Sequence, residues 1–132
     1  MPKKTHHLGE LQYAIMRVLW SEDEASVAEV CQRLPKEHQR APTTIATMLT
    51  KMEKKGVVAH RTEGRVFFYR PKIREADVHR SMVTDLTERL FAGDAAALVS
   101  HLLTEREFDA QELAKIRALI EQHAKKERGH GR

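Results

Sequence analysis

Six side chains between Thr43 and Lys54 share a chemistry that a protein core does not use. Thr43, Thr44, Thr47 and Thr50, with Lys51 and Lys54, fall together with Ala46 on one face of a helical repeat. The opposite face carries Ile45, Met48, Leu49 and Met52. Short hydroxyl side chains allow a helix to approach another surface closely. Their oxygens can bond to base edges or phosphates, and their methyl groups can touch thymine. The two lysines lie farther along, where backbone phosphates would be met. A Thr/Lys face is often only a solvated surface. Threonine is a mediocre helix former, however, so four of them on one exposed face carry a propensity cost with no packing gain. A second cationic pair, Arg61 and Arg65, flanks Thr62-Glu63-Gly64, where it could reach a neighbouring phosphate or the minor groove.

Other chemistries find less support. The eight histidines are scattered: His6-His7 near the start, then His60, His79, His101 and His123 among the rest, with no HExxH and no Cys/His pairing. We therefore expect no metal and no cofactor. Cys31, the single cysteine, falls on the apolar face of its helix and reads as a small core residue, so no internal disulfide is available. Trp20 reads as core as well. No nucleophile–base pair, phosphate loop or carboxylate pair stands out, and the chain does not read as an enzyme.

The charge of the chain points the same way. Residues 1–72 carry 13 Lys/Arg against 8 Asp/Glu, whereas residues 73–132 carry 10 against 11. A basic first part and a near-neutral second part suggest that only the first meets a polyanion. The uncharged stretch Ala95 to Thr104 is too short to span a bilayer, and the first residues have no apolar run behind their lysines. A cytoplasmic protein without a membrane partner is expected.

The elements that must position these residues follow from periodicity and punctuation. Leu8, Leu11, Ile15, Val18 and Leu19 predict a helix to about Trp20. Ser26-Val-Ala-Glu29 is a capping box for a helix that buries Val27, Val30, Cys31 and Leu34 and ends at Pro35. Pro42 suits a first helical position, and Gly56 stands where a left-handed C-cap belongs. Val57 to Arg61 and Val66 to Tyr69, joined through Gly64, predict a β-hairpin closed by Pro71. Three helices followed by a hairpin is the winged form of the helix-turn-helix, whose later helix lies in the major groove.

The second part reads as helical throughout. Helices are predicted over Ala76 to Phe91, after Asp94, and after a second capping box, Asp109 with Glu112. Their apolar faces include Met82, Leu86 and Leu90, then Leu98 and Leu102, then Ile116 and Ile120. This exceeds what so short a segment can bury internally, so a second copy is expected to cover them. The expected architecture is mainly α with a small β-hairpin. Residues 1–72 would form a winged-helix DNA-binding domain, 73–125 a three-helix dimerisation domain, and 126–132 a flexible tail.

Several stretches resemble the penicillinase-repressor (BlaI/MecI/CopY) family of winged-helix transcriptional repressors over about residues 8 to 123. They are Leu8-Gly-Glu-Leu-Gln-Tyr-Ala-Ile-Met-Arg-Val-Leu-Trp20, Pro42-Thr-Thr-Ile-Ala-Thr-Met-Leu-Thr-Lys51, Gly64-Arg-Val-Phe-Phe-Tyr-Arg-Pro71, and Phe91-Ala-Gly-Asp94 followed by Leu98-Val99. The resemblance implies a homodimeric repressor on a palindromic DNA operator, with the positions of Thr43, Thr44, Ala46 and Thr47 facing the major groove. It also implies, for β-lactam-responsive members, a regulatory protease that cuts at the position of His101-Leu102. Those members carry Asn-Phe there, so this chain departs at both residues. The cysteine-rich copper site of other members has no counterpart, since no cysteine follows Cys31. Arg40-Ala41 replaces an aromatic residue and a capping serine. Three other readings stay open beside repression: transcriptional activation, a winged helix used to bind proteins, and a small hydrolase or metal enzyme.

Overall fold

The computed structural model describes residues 8–130. Their contacts divide the chain into two compact units that meet between Leu86 and Thr87.

The first unit begins with helix α1, Glu10–Glu22, whose opening Gly9 N–H donates to Gln12 Oε1 at 3.3 Å. Ile15, Met16 and Leu19 are fully buried. The helix stops at Asp23, where a φ of 68° leaves the helical region and the Asp23 N–H closes on the Leu19 carbonyl at 2.8 Å. A two-residue strand, β1 (Ala25–Ser26), leads directly into α2, Val27–Arg33. The capping box is formed from both ends: Glu29 N–H donates to Ser26 Oγ at 3.2 Å, and Ser26 N–H donates to Glu29 Oε1 at 2.8 Å. Val30 and Leu34 are buried, whereas Val27 and Cys31, expected in the core, are half-buried at its edge. A short 3₁₀ turn, Lys36–His38, carries the chain to α3, Pro42–Lys54.

Helix α3 inserts Ile45, Leu49 and Met52 into the same core. Its end is the glycine stop expected from the sequence: Gly56 has φ 84°, and the N–H groups of Gly56 and Val57 bond to the carbonyls of Glu53 and Met52. Strands β2 (Val58–Glu63) and β3 (Val66–Pro71) then form an antiparallel hairpin with Arg61 opposite Phe68 and His60 opposite Tyr69. β2 runs two residues farther than the periodicity indicated, because Gly64, at φ 63°, makes the reversal with Arg65 alone, and β3 runs on to Pro71, which stands opposite Val58. β1 pairs with β3 and completes a three-stranded sheet of order β1-β3-β2.

Helix α4, Glu75–Phe91, starts within this first unit. Trp20 Nε1–H donates to the Ile73 carbonyl at 2.9 Å, Tyr13 Oη lies 2.8 Å from His79 Nε2, and Val78 is fully buried. These attachments explain why the compact unit runs past Lys72, the boundary drawn from the sequence.

The second unit holds the end of α4, α5 (Ala95–Glu105) and α6 (Ala110–His130). Asp94 caps α5 by accepting the Ala97 N–H at 3.0 Å, and Asp109 caps α6 by accepting the Glu112 N–H at 2.8 Å. The Glu112 carboxylate turns to the Arg106 guanidinium at 3.2 Å rather than completing a box. Residues 126–130, expected as a flexible tail, continue α6: Ala124, Lys125, Lys126, Glu127 and Arg128 are all good helix formers. No helix among the described residues is long and apolar enough to cross a membrane.

Candidate nucleic-acid interface

The site begins with the face of α3 that the core leaves outside. Thr43, Thr44, Thr47 and Lys51, with Met48, line one shallow concavity. Thr50 and Lys54 are exposed nearby on the same helix, and Ala46 is half-exposed. The hydroxyls are not equivalent. Thr47 Oγ1 donates to the Thr43 carbonyl at 2.9 Å, and Thr50 Oγ1 donates to the Ala46 carbonyl at 3.0 Å. A hydroxyl whose proton is engaged in this way presents lone pairs outward. Thr47 therefore offers its surroundings an acceptor rather than a donor. Thr50 also meets the Tyr69 phenol, whose pKa burial raises, and so faces the hairpin as much as solvent.

Lys51, Lys54 and Arg65 are exposed, and none takes part in an ion pair among the described residues. Arg65 stands at the hairpin tip beside Gly64. Arg61 differs. Its Nε and Nη2 each lie 2.8 Å from the two carboxylate oxygens of Glu24, its Nη1 lies 3.5 Å from Glu63, and its guanidinium sits 4.8 Å over the Phe68 ring. The hydrogen bond from Arg61 holds the Glu24 carboxyl below the usual carboxylate range, and that same bond holds Arg61 above the usual arginine value. Three of the five Arg61 donors are thus engaged within the chain, whereas Arg65 takes part in no ion pair among the described residues.

On the other face of β2, His60 Nδ1 lies 2.7 and 2.9 Å from the Glu53 carboxylate oxygens. An ionised carboxylate only accepts, so Nδ1 carries the proton of this bond. The imidazole stacks on Phe67 with centroids 4.2 Å apart. Neither Glu24 nor Glu53 carries a local sequence signal, because each pairing crosses between elements. Arg40, where a family aromatic was expected, directs its guanidinium to the carbonyls of Glu37 and Gln39 before α3.

The apolar residues assigned to a dimer surface lie outside the core of the single chain. Met82, Leu86, Leu90, Leu102 and Ile120 are exposed, Leu90 at 68%, and Leu98 and Ile116 are half-exposed. Among the described residues from Glu75 onward, only Val78 is buried. His101 and Leu102 are exposed in the second half of α5, and Phe91 lies 5.9 Å from the His101 ring. His6 and His7 lie outside the described residues. Among those described, no three His, Cys, Asp or Glu side chains are grouped to hold a metal.

A three-helix core with a two-stranded hairpin after the third helix, and a hydroxyl-and-lysine face on that helix, defines a winged helix-turn-helix protein. Residues 8–122 match the model of the penicillinase repressor family, and the chain belongs to that family of DNA-binding transcriptional repressors. It is 30% identical over 121 residues to the penicillinase repressor of Bacillus licheniformis, covering 92% of this chain and 94% of that one. The penicillinase repressor of Staphylococcus aureus is 22% identical over 126 residues, with 96% and 100% covered. Among solved structures, the DNA-binding domain of the repressor BlaI matches at 38% identity over 58% of this chain and 93% of that one, with a TM-score of 0.49.

Proposed function

We propose that this chain is a cytoplasmic homodimer that binds a palindromic double-stranded DNA operator sequence-specifically and represses transcription there. The observation that carries the reading is the outer face of α3. Thr43, Thr44, Thr47 and Lys51 line one concavity, while Lys51, Lys54 and Arg65 keep their charges for an outside partner. Thr43, Thr44, Ala46 and Thr47 would read bases, and the three cations would meet phosphates. The exposed apolar stripes of α4, α5 and α6 support a second copy as the partner that covers them. Two copies would set two recognition helices a whole number of DNA turns apart. The reading requires no cofactor, metal or catalytic group.

Selection from random duplexes tests it. A palindromic consensus should be enriched, and its affinity should fall steeply with salt. A promoter bearing the selected site should lose output when the protein is present. Increased output would make the chain an activator, and flat, salt-insensitive enrichment would favour a protein-binding module.

Relief of repression by proteolysis between His101 and Leu102 belongs to the same proposal. A cut there would detach α6 and part of the apolar surface from each copy. The bond lies within a helix, so a regulatory protease would have to open α5 first. An intact chain throughout induction, seen by mass spectrometry, would remove this arm of the proposal.

A further inference from the structure

The outer half of the hairpin has nothing in the core to hold it. Val58 and Tyr69 are buried at its base, yet positions 61 to 67 are all exposed. An unsupported two-stranded ribbon is marginal in water. Adjacent positions of β2 supply the missing support, and the strand's alternation sends them to opposite faces. On one face the Arg61 guanidinium lies over Phe68 and makes two 2.8 Å bonds to Glu24, which stands between α1 and β1. On the other, the His60 imidazole stacks on Phe67 and bonds at 2.7 Å to Glu53 of α3. Each side repeats one construction: a basic side chain from β2, an aromatic ring from β3 beneath it, and a carboxylate from another element.

We infer that Glu24–Arg61 and Glu53–His60 are opposed clamps that fix the wing relative to α3, so that Arg65 and the α3 threonines engage one DNA duplex together. Arg61 and His60 are then positioning residues, and Arg65 is the wing's DNA cation. The inference rests on the DNA-binding reading above and adds to it which wing residues act through others. It also gives an unusual sign. Glu24 and Glu53 are negative charges beside a proposed polyanion surface, so simple electrostatics says that removing either should tighten binding. Clamping says the reverse.

Two measurements on the full chain decide the matter. In the free protein, Glu24→Ala and Glu53→Ala should each speed amide hydrogen exchange across residues 61–67 several-fold while leaving exchange in α1 unchanged. On the selected operator, each variant should bind several-fold more weakly despite the lost negative charge. Arg65→Ala alone should lower the salt slope by about two, about one for each copy on the operator. In the Glu24→Ala/Glu53→Ala background it should cost distinctly less, because the wing no longer delivers Arg65. Unchanged tip exchange overturns the clamps whatever happens with DNA. Equal or tighter operator binding by the glutamate variants, or strict additivity with Arg65→Ala, also overturns them. Failure of the unaltered chain to bind any duplex would retire the DNA reading instead, and the exchange measurement would still judge the clamps.

Discussion

At the scale of single residues, the hydroxyl of Thr47 has a direction that its residue type alone does not supply. Its proton goes to the Thr43 carbonyl, so the side chain offers an acceptor and a methyl group to the outside. Thr47→Val keeps the shape and the methyl but removes the acceptor. It should relax preference at one or two base pairs, at a cost of about 1–3 kcal/mol on the selected site. Lys51→Ala should instead weaken binding to every sequence and lower the salt slope by about two, about one for each copy. Competition titrations with single-base operator variants at several salt concentrations separate the two. Base preference altered by Lys51→Ala, with none altered by Thr47→Val, would reverse the assignment of roles. The Glu24–Arg61 pair brings in pH. Arg61 lowers the Glu24 carboxyl from its ordinary value of 4.5. A lowered carboxyl stabilises the folded arrangement above that value and loses its contribution as pH falls through the folded-state pKa. After correction for the intrinsic pH dependence of exchange, tip amides 61–67 should therefore lose protection on acidification below about pH 4.5. The loss should be smaller in Glu24→Ala.

At the scale of elements, the helices were legible wherever a cap and an apolar period coincided. Ser26 and Glu29 show this for α2, and Asp94 for α5, because a capping residue and the stripe behind it are both local. What escaped was non-local. Two residues, Ala25 and Ser26, make no strand pattern of their own and become β1 only because Tyr69 and Phe68 stand opposite. The same holds within the site. The threonine and lysine face of α3 could be read from periodicity, whereas the diversion of Arg61 to Glu24 depends on where a loop thirty-odd residues away is placed. The start of α3 offers a test of local reasoning. Its N-cap is Ala41, with no side-chain bond to the first turn, and Pro42 has no N–H to satisfy. The Thr44 N–H finds the Ala41 carbonyl at 2.9 Å. Ala41 already has the extended ψ of a capping residue, 146°. Ala41→Ser should consequently stabilise the chain by about 1 kcal/mol without adding charge near the outer face of α3. A denaturant midpoint that moved down or stayed in place would show that the first turn is already satisfied in some other way.

At the scale of the whole molecule, the division of the chain carries the most consequential expectation. A cut after Pro71, at the foot of the hairpin, would look harmless from the sequence. It would remove Ile73, whose carbonyl takes the Trp20 indole N–H, along with His79 beside Tyr13 and the fully buried Val78. Losing a buried valine and stranding a part-buried indole donor should cost several kcal/mol together, by the usual magnitudes of about 1.5–3 and 1–3 kcal/mol. A fragment ending at Leu86 keeps all three attachments and follows the boundary between the compact units. It should unfold cooperatively and near the midpoint of the full chain's first unit. The fragment ending at Pro71 should unfold several degrees lower or fail to fold. Both lack α5 and α6 altogether, so the fragment ending at Leu86, and the shorter one where it folds, should sediment as monomers and bind a half-site without cooperativity. In the full chain, Leu102→Lys should have the same consequence without truncation. Leu102 is 51% exposed in the single chain, so the charge costs the fold little. In a dimer it would have to be desolvated or would hold the two copies apart. Sedimentation across micromolar concentrations checks the pair of expectations: a full chain that is already monomeric, yet binds its operator tightly, would sink the dimeric architecture and leave the winged helix to act alone.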